Sequence, residues 1–215
     1  FALRIARLEK REPLPAVLTA LFHDAGKFRW GRYHAGRAPE EAASADAARR
    51  MLRDFGAASA LSRDVAAALE ALYNEKRSPR MLAAIVHDAD FLSKAGTLGV
   101  AQFFVKSTLR GRTLGGAVTA TLSKELTYAA CLPLNMRTKA GRARAEVKAQ
   151  ETLRFYEALL EELGETQGGA FRINSIRVPH PVRRGKPIEV RLVTSPACDD
   201  CGGSWAITRS IRKGA

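Results

Sequence analysis

The chain has 215 residues, 46% of them hydrophobic and 27% charged, enough to bury a core as one large domain or as one domain with an appendage. A formal net charge of +13 and an isoelectric point near 10.2 favour anionic partners, nucleotides or nucleic acid before a lipid surface. No stretch approaches the roughly 20 apolar residues of a membrane span, and no secretory leader is visible. Three cysteines make no disulfide framework, so a cytoplasmic, reducing compartment is expected. Phe1 is not a natural start, and further residues are expected upstream of it.

Residues 1–168 read as helical throughout. A helix is already under way at Phe1 and is broken by Pro13 and Pro15. The next opens at Pro15, where a missing N–H costs nothing, and ends at Gly26. Residues 31–38 read as a loop. Ser44 or Asp46 is expected to cap an Ala-rich helix running to Phe55, with Gly56 closing it. Ser62 is expected to cap a helix over 65–72, and Ser78-Pro79 to open one reaching Val86. An apolar helix is expected over 92–105, then a basic, Gly-rich loop over 110–116, then a long amphipathic helix over 141–163. Helical chemistry stops at Gly164, and residues 164–169 read as a linker. Beyond it the apolar period drops to two, giving short strands around 171–178, 188–193 and 205–208 with Pro- and Gly-containing turns.

The chemistry concentrates in Leu21-Phe22-His23-Asp24-Ala25-Gly26-Lys27. An imidazole beside a carboxylate suits a divalent first-row cation, and a lysine three residues on can hold an anion next to it. A second acidic cluster, His87-Asp88-Ala89-Asp90, follows the apolar run Met81 to Val86. Two such pairs, each at the end of an apolar helix-like run, point to one site shared by two helices. Taken singly, Asp24 reads sooner as a helix cap and His23 as a satisfied core imidazole than either as a metal ligand.

With these residues the chain resembles the HD superfamily of metal-dependent phosphohydrolases. The resemblance extends through His34 and Ser44 to Ala48, through His87 to Phe104, and through Cys131 to Arg142. It thus covers about residues 1–163 and is nearest to a subgroup acting on nucleotides. It departs at Tyr73-Asn74, where that subgroup often has a His, and at Phe91 and Ser93, where Arg and Asp are usual. The fold it implies is mainly α: an HD-type helical bundle over 1–164, followed by a small, basic, β-rich C-terminal region over 165–215.

The resemblance also implies a site. His23, Asp24 and Asp90 would hold one cation, with Asp90 preferred over Asp88 as the distal ligand. Asp88 would be a supporting or substrate-side carboxylate, and His87 structural. A first His ligand is expected upstream of Phe1, the alternative being that this chain has lost it. Lys27 would clamp phosphate, aided by Arg29 or Arg32, and His34 would handle a proton or a second metal. The cation would be Mn, Mg, Fe, Co or Ni rather than a closed structural zinc. The implied activity is hydrolysis of a nucleotide or another phosphate ester. An HD-type nuclease and an inactive HD binding scaffold are the competing readings.

The tail adds its own features. From Gly169 to Ala215 nine Lys/Arg stand against three Asp/Glu, a net of +6. Arg172, Arg177, Arg191 and Arg209 recur on strand candidates, an arrangement able to meet phosphates of a nucleic acid or to lie in water. Cys198 and Cys201 form a CxxC turn. With His180 it supplies part of a zinc site, or it is a plain turn with two reduced thiols.

Overall fold

The computed structural model describes residues 1–29, 32–33, 39–73, 80–112, 114–167, 172–177, 188–195 and 206–211. It is mainly helical. The helices are α1 (Ala2–Leu8), α2 (Pro13–Phe22), α3 (Glu40–Asp54), α4 (Ser59–Ala71), α5 (Met81–Ser93), α6 (Gly96–Leu109), α7 (Leu114–Asn135) and α8 (Lys139–Gln167). None is long and apolar enough, among the described residues, to cross a membrane. The chain divides into two compact units, Phe1–Ser93 with Asn135–Ala145, and Lys94–Leu134 with Glu146–Ala215.

In the first unit small residues let helices approach closely. Ala45, Ala48 and Leu52 of α3 pack with Val65, Ala66 and Leu69 of α4, and Leu18 and Phe22 of α2 close that cluster. Ala68 and Ala71 of α4 meet Ala83 of α5. The first residues of α8 belong to this unit, and side chains satisfy the N–H groups that a helix start leaves without partners. Thr138 Oγ1 accepts from Gly141 N at 2.9 Å, and Glu9 Oε1 accepts from Ala140 N at 2.7 Å.

In the second unit Val100, Leu126 and Tyr156 form a core with Phe104, Leu153 and Leu159. The start of α6 is fixed by α8: Gly96 N donates to Thr152 Oγ1 at 2.7 Å and Lys148 Nζ to the Ala95 carbonyl at 2.5 Å. Gly96 has φ +73°, and a Cβ there would meet Glu151 Oε2 at 2.6 Å, so both backbone and space require glycine. The Tyr156 hydroxyl is buried and has no hydrogen-bond partner among the described residues. Tyr156→Phe is therefore expected to leave stability unchanged or raise it by up to about 1 kcal/mol, read from urea unfolding.

Several boundaries differ from expectation. Ser44 does not cap α3. That helix starts earlier, at Glu40, with Glu40 and Glu41 in the first turn where the helix dipole favours them. Ser62 lies inside α4, whose N-cap position is Ala58. The helix expected to stop at Val86 continues through the acidic cluster to Ser93, and the chain breaks at Ala95-Gly96 instead. The expected loop over 110–116 is shorter, and α7 follows it, a helix inside the stretch read as helical but not delimited there, with Pro133 inside it. The backbone also runs in antiparallel pairs: β1 (Phe28–Arg29) with β2 (Arg32–Tyr33), and β4 (Ile188–Ser195) between β3 (Arg172–Arg177) and β5 (Ala206–Ile211).

Candidate active site

The first unit brings His23, Asp24 and Asp90 together. Helix α2 delivers His23 at its C-cap, and a single 3₁₀ turn, Ala25–Lys27, follows Asp24. Asp24 makes no capping hydrogen bond, so its carboxylate serves something other than the turn it precedes. Asp90 comes from the second half of α5. His23 Nε2 lies 3.4 Å from Asp24 Oδ1 and 3.6 Å from Asp90 Oδ1. The other ring nitrogen, Nδ1, donates to the Ala20 carbonyl at 2.7 Å, which leaves Nε2 as the lone-pair nitrogen of the neutral ring, directed at both carboxylates.

The turn is held from α3. Ser44 Oγ is buried, accepts from Gly26 N at 2.8 Å and donates to the His23 carbonyl at 3.1 Å. Gly26 is required by closeness: a Cβ on it would lie 2.1 Å from the Glu40 carbonyl oxygen and 2.9 Å from Ser44 N. Backbone cannot yield as a side-chain tip can. Gly26→Ala is thus expected to destabilise the protein by about 1–3 kcal/mol and to weaken divalent-ion binding, as α3 is forced off the turn. Denaturant unfolding and Mn²⁺ titration measure the two effects.

Electrostatics at the cluster follow from two carboxylates around one imidazole. Asp90 is the main cause that lifts the His23 pKa above its ordinary value; burial opposes it, and the Ala20 carbonyl and Asp24 add to it. Lys27 Nζ sits 2.8 Å from Asp24 Oδ1. Burial works against the charge of Lys27, but Asp24 outweighs it and its pKa is raised. Tyr73, just beyond α4, donates its hydroxyl to Asp90 Oδ2 at 2.7 Å. Burial first, then the Asp90 charge, push that phenol far above its ordinary range, so it remains a donor. Asp24 is 47% exposed and Asp90 only 9%, so the cluster opens to solvent on the Asp24 side.

The donor set, an imidazole nitrogen and two carboxylate oxygens, is of the kind that Mn²⁺, Fe²⁺ and their neighbours take. Its spacings of 3.4 and 3.6 Å are wider than the roughly 3.0 Å between adjacent donors of an octahedral cation with bonds of about 2.1 Å, so the three side chains would draw in around it. Among the described residues no group of three or more His, Cys, Asp and Glu side chains is drawn together closely enough to hold a metal ion as it stands. The arrangement is two pairs sharing His23, with the Lys27 ammonium on the Asp24 oxygen that faces the ring.

Asp88 stands apart from this cluster. It is fully buried, and four donors occupy its two oxygens. Oδ1 accepts from Arg137 N at 2.9 Å and from His87 Nδ1 at 3.0 Å; Oδ2 accepts from Thr138 N at 2.8 Å and Thr138 Oγ1 at 2.7 Å. A negative charge at the start of α8 is where the helix dipole favours it. Of the two roles expected of Asp88, supporting or substrate-side, its surroundings are those of a supporting carboxylate, because no oxygen of it is left facing solvent. His87 is a buried ring stacked on Phe91 at 4.5 Å, as its structural reading expects. His34, Cys198, Cys201 and His180 lie outside the described residues, as do the side chains of Arg29 and Arg32. Sequence reading missed Ser44 as the tie to the turn and Tyr73 as the partner of Asp90. The only signal for Tyr73 was its standing at a departure from the resembling pattern.

A separate hollow of about 230 Å³ lies at the other ends of α2 and α5, lined by Arg11, Glu12, Asp64, Arg80 and Met81 among others, and includes none of the clustered residues.

No family model matches the chain, and no curated protein does. Solved structures do. Bacillus subtilis YpgQ in complex with ADP is 21% identical with a TM-score of 0.57, over 75% of this chain and 83% of that one. A predicted HD superfamily hydrolase from an uncultured Thermotogales bacterium is 21% identical with a TM-score of 0.54, over 76% of this chain and 75% of that one. An HD-superfamily hydrolase from Bacillus thuringiensis is 20% identical with a TM-score of 0.56, over 76% of this chain and 80% of that one. The chain therefore shares the fold of HD-superfamily hydrolases.

Proposed function

We propose that the chain is a divalent-metal-dependent phosphohydrolase acting on a nucleotide or another phosphate ester. The observation that carries this reading is the convergence of His23 Nε2 on Asp24 Oδ1 and Asp90 Oδ1, from two helices 67 residues apart at the ligands. The shared fold with HD-superfamily hydrolases supports it, and the ADP complex of YpgQ supports a nucleotide as the substrate class. His23, Asp24 and Asp90 would hold the cation, with Mn, Mg, Fe, Co and Ni as the candidates. When bound, it supplies Lewis acidity toward a phosphoryl oxygen and an acidified water.

The chain's own residues do the rest. Lys27, whose ammonium lies on Asp24, would offset charge that builds up on the phosphoryl group beside it. Nδ1 of His23 stays on the Ala20 carbonyl, which fixes the ring plane and its lone-pair nitrogen. His34 is proposed as the proton-transfer residue, a contribution of about 10²–10⁴-fold in general. Residues 165–215 are proposed as a distinct basic, β-rich region, and nucleic acid as its possible ligand class.

The test is a screen of the full chain over Mn²⁺, Mg²⁺, Fe²⁺, Co²⁺ and Ni²⁺ against nucleotides, single-stranded and duplex nucleic acid. Release of phosphate from nucleotides is the expected result. Cleavage of strands alone would replace this reading by the nuclease, and metal binding without turnover by the inactive scaffold.

A further inference from the structure

Tyr73 is not one of the ligands that the proposed cation needs, yet it holds one of them. Its hydroxyl donates to Asp90 Oδ2 at 2.7 Å, while the other oxygen, Oδ1, faces His23 Nε2 at 3.6 Å. The terminal torsion of an Asp side chain has a broad, shallow profile, so a carboxylate without such a bond spreads its oxygens over many settings. A bond to one oxygen sets the carboxylate plane and thereby aims the second.

Tyr73 is itself well placed to impose that setting. It follows Leu72, whose carbonyl accepts from Arg137 Nη1 at 2.8 Å. The backbone N–H of the same Arg137 donates to Asp88 Oδ1 on α5 at 2.9 Å. The end of α4 is thus tied to the helix that carries Asp90 through one arginine. The phenol ring also lies 6.1 Å from the His87 ring, which stacks on Phe91. Tyr73 thus lies beside His87, Phe91 and Asp90 of α5, and its hydroxyl bonds a proposed ligand.

We propose that Tyr73 is a positioning residue, retaining Asp90 Oδ2 so that Oδ1 is presented to the cation beside His23. This rests on the reading of His23, Asp24 and Asp90 as the ligands. Hydrogen-bond partners of metal ligands typically cost about 10–100-fold in metal affinity when removed. Tyr73→Phe deletes the hydroxyl and keeps the ring, so it isolates this contribution.

The experiment follows Mn²⁺ binding to the full chain by electron paramagnetic resonance, for wild type and Tyr73→Phe. Metal-free thermal unfolding and the Mn²⁺ dependence of phosphate-ester hydrolysis are recorded beside it. The expected result is Mn²⁺ affinity lowered about tenfold or more, turnover that recovers at raised Mn²⁺, and a metal-free midpoint within about 2 °C of wild type. Wild-type affinity in Tyr73→Phe overturns the proposal and leaves the metal reading standing. A loss of affinity that comes with a midpoint several degrees lower marks a structural role and overturns it as well. A wild-type protein that binds no Mn²⁺ overturns both.

Discussion

Asp24→Ala and Asp90→Ala are each expected to abolish metal-dependent hydrolysis while the helical fold persists. Each removes a charged oxygen donor from the proposed site of one imidazole and two carboxylates, where a cation would supply several kcal/mol of transition-state stabilisation. A loss of about 4 kcal/mol is roughly 10³-fold in rate. Combining the two substitutions should add little, because the ligands act as one unit. Asp24 is half exposed and caps nothing, and Asp90 Oδ2 bonds a tyrosine hydroxyl rather than buried backbone donors of the kind that hold Asp88, so neither change should unfold the first unit. Steady-state kinetics at saturating metal and far-ultraviolet circular dichroism measure the two halves of this expectation. Full activity in Asp24→Ala would reject the HD-type reading outright.

Asp88→Ala is expected to act in the opposite way, on stability first. The substitution strips acceptors from Arg137 N, Thr138 N, Thr138 Oγ1 and His87 Nδ1 inside a fully buried site. Hydrogen bonds to a charged group contribute about 1.5–3 kcal/mol each, and buried donors left unmatched cost more, so the loss should exceed about 3 kcal/mol. Urea unfolding of the metal-free protein gives the value. Asp88→Asn should fall between wild type and Asp88→Ala, since its carbonyl still accepts. An Asp88→Ala protein with wild-type stability and no activity would restore the substrate-side role that the sequence suggested.

The contrast between Asp88 and Asp90 shows where sequence reading stops. Both carboxylates were visible in one tetrapeptide, and two positions on a helix differ by about 200° in direction. What no local pattern states is which direction meets α2 and which meets the start of α8. That is decided by partners about 50 residues away, Arg137 and Thr138. That His23-Asp24 and Asp90 belong together was legible because their residue types suggest shared metal chemistry, and the structure brings them side by side. Ser44 was not, because a serine near a helix start reads as a cap, and only the packing of α3 on Gly26 reveals its other use. Helix α7 was hidden by Gly115, Gly116 and Pro133, which local propensity reads as breakers. The division at Ala95-Gly96 depends on a positive φ that a run of apolar residues does not announce.

The four bonds on Asp88 have a bearing on which length changes the chain could survive. They key the azimuth of α5 to the start of α8, so Asp90 always leaves the helix two residues, about 200°, from a fixed mark. A residue added or lost before Met81 shifts only the connection leading into α5 and leaves mark and ligand in phase. The same change between Asp88 and Asp90 swings the Asp90 carboxylate by about 100° away from His23. Insertions and deletions should therefore be tolerated in the segment before α5 and excluded from the three residues Asp88, Ala89 and Asp90, where spacing rather than composition carries the site.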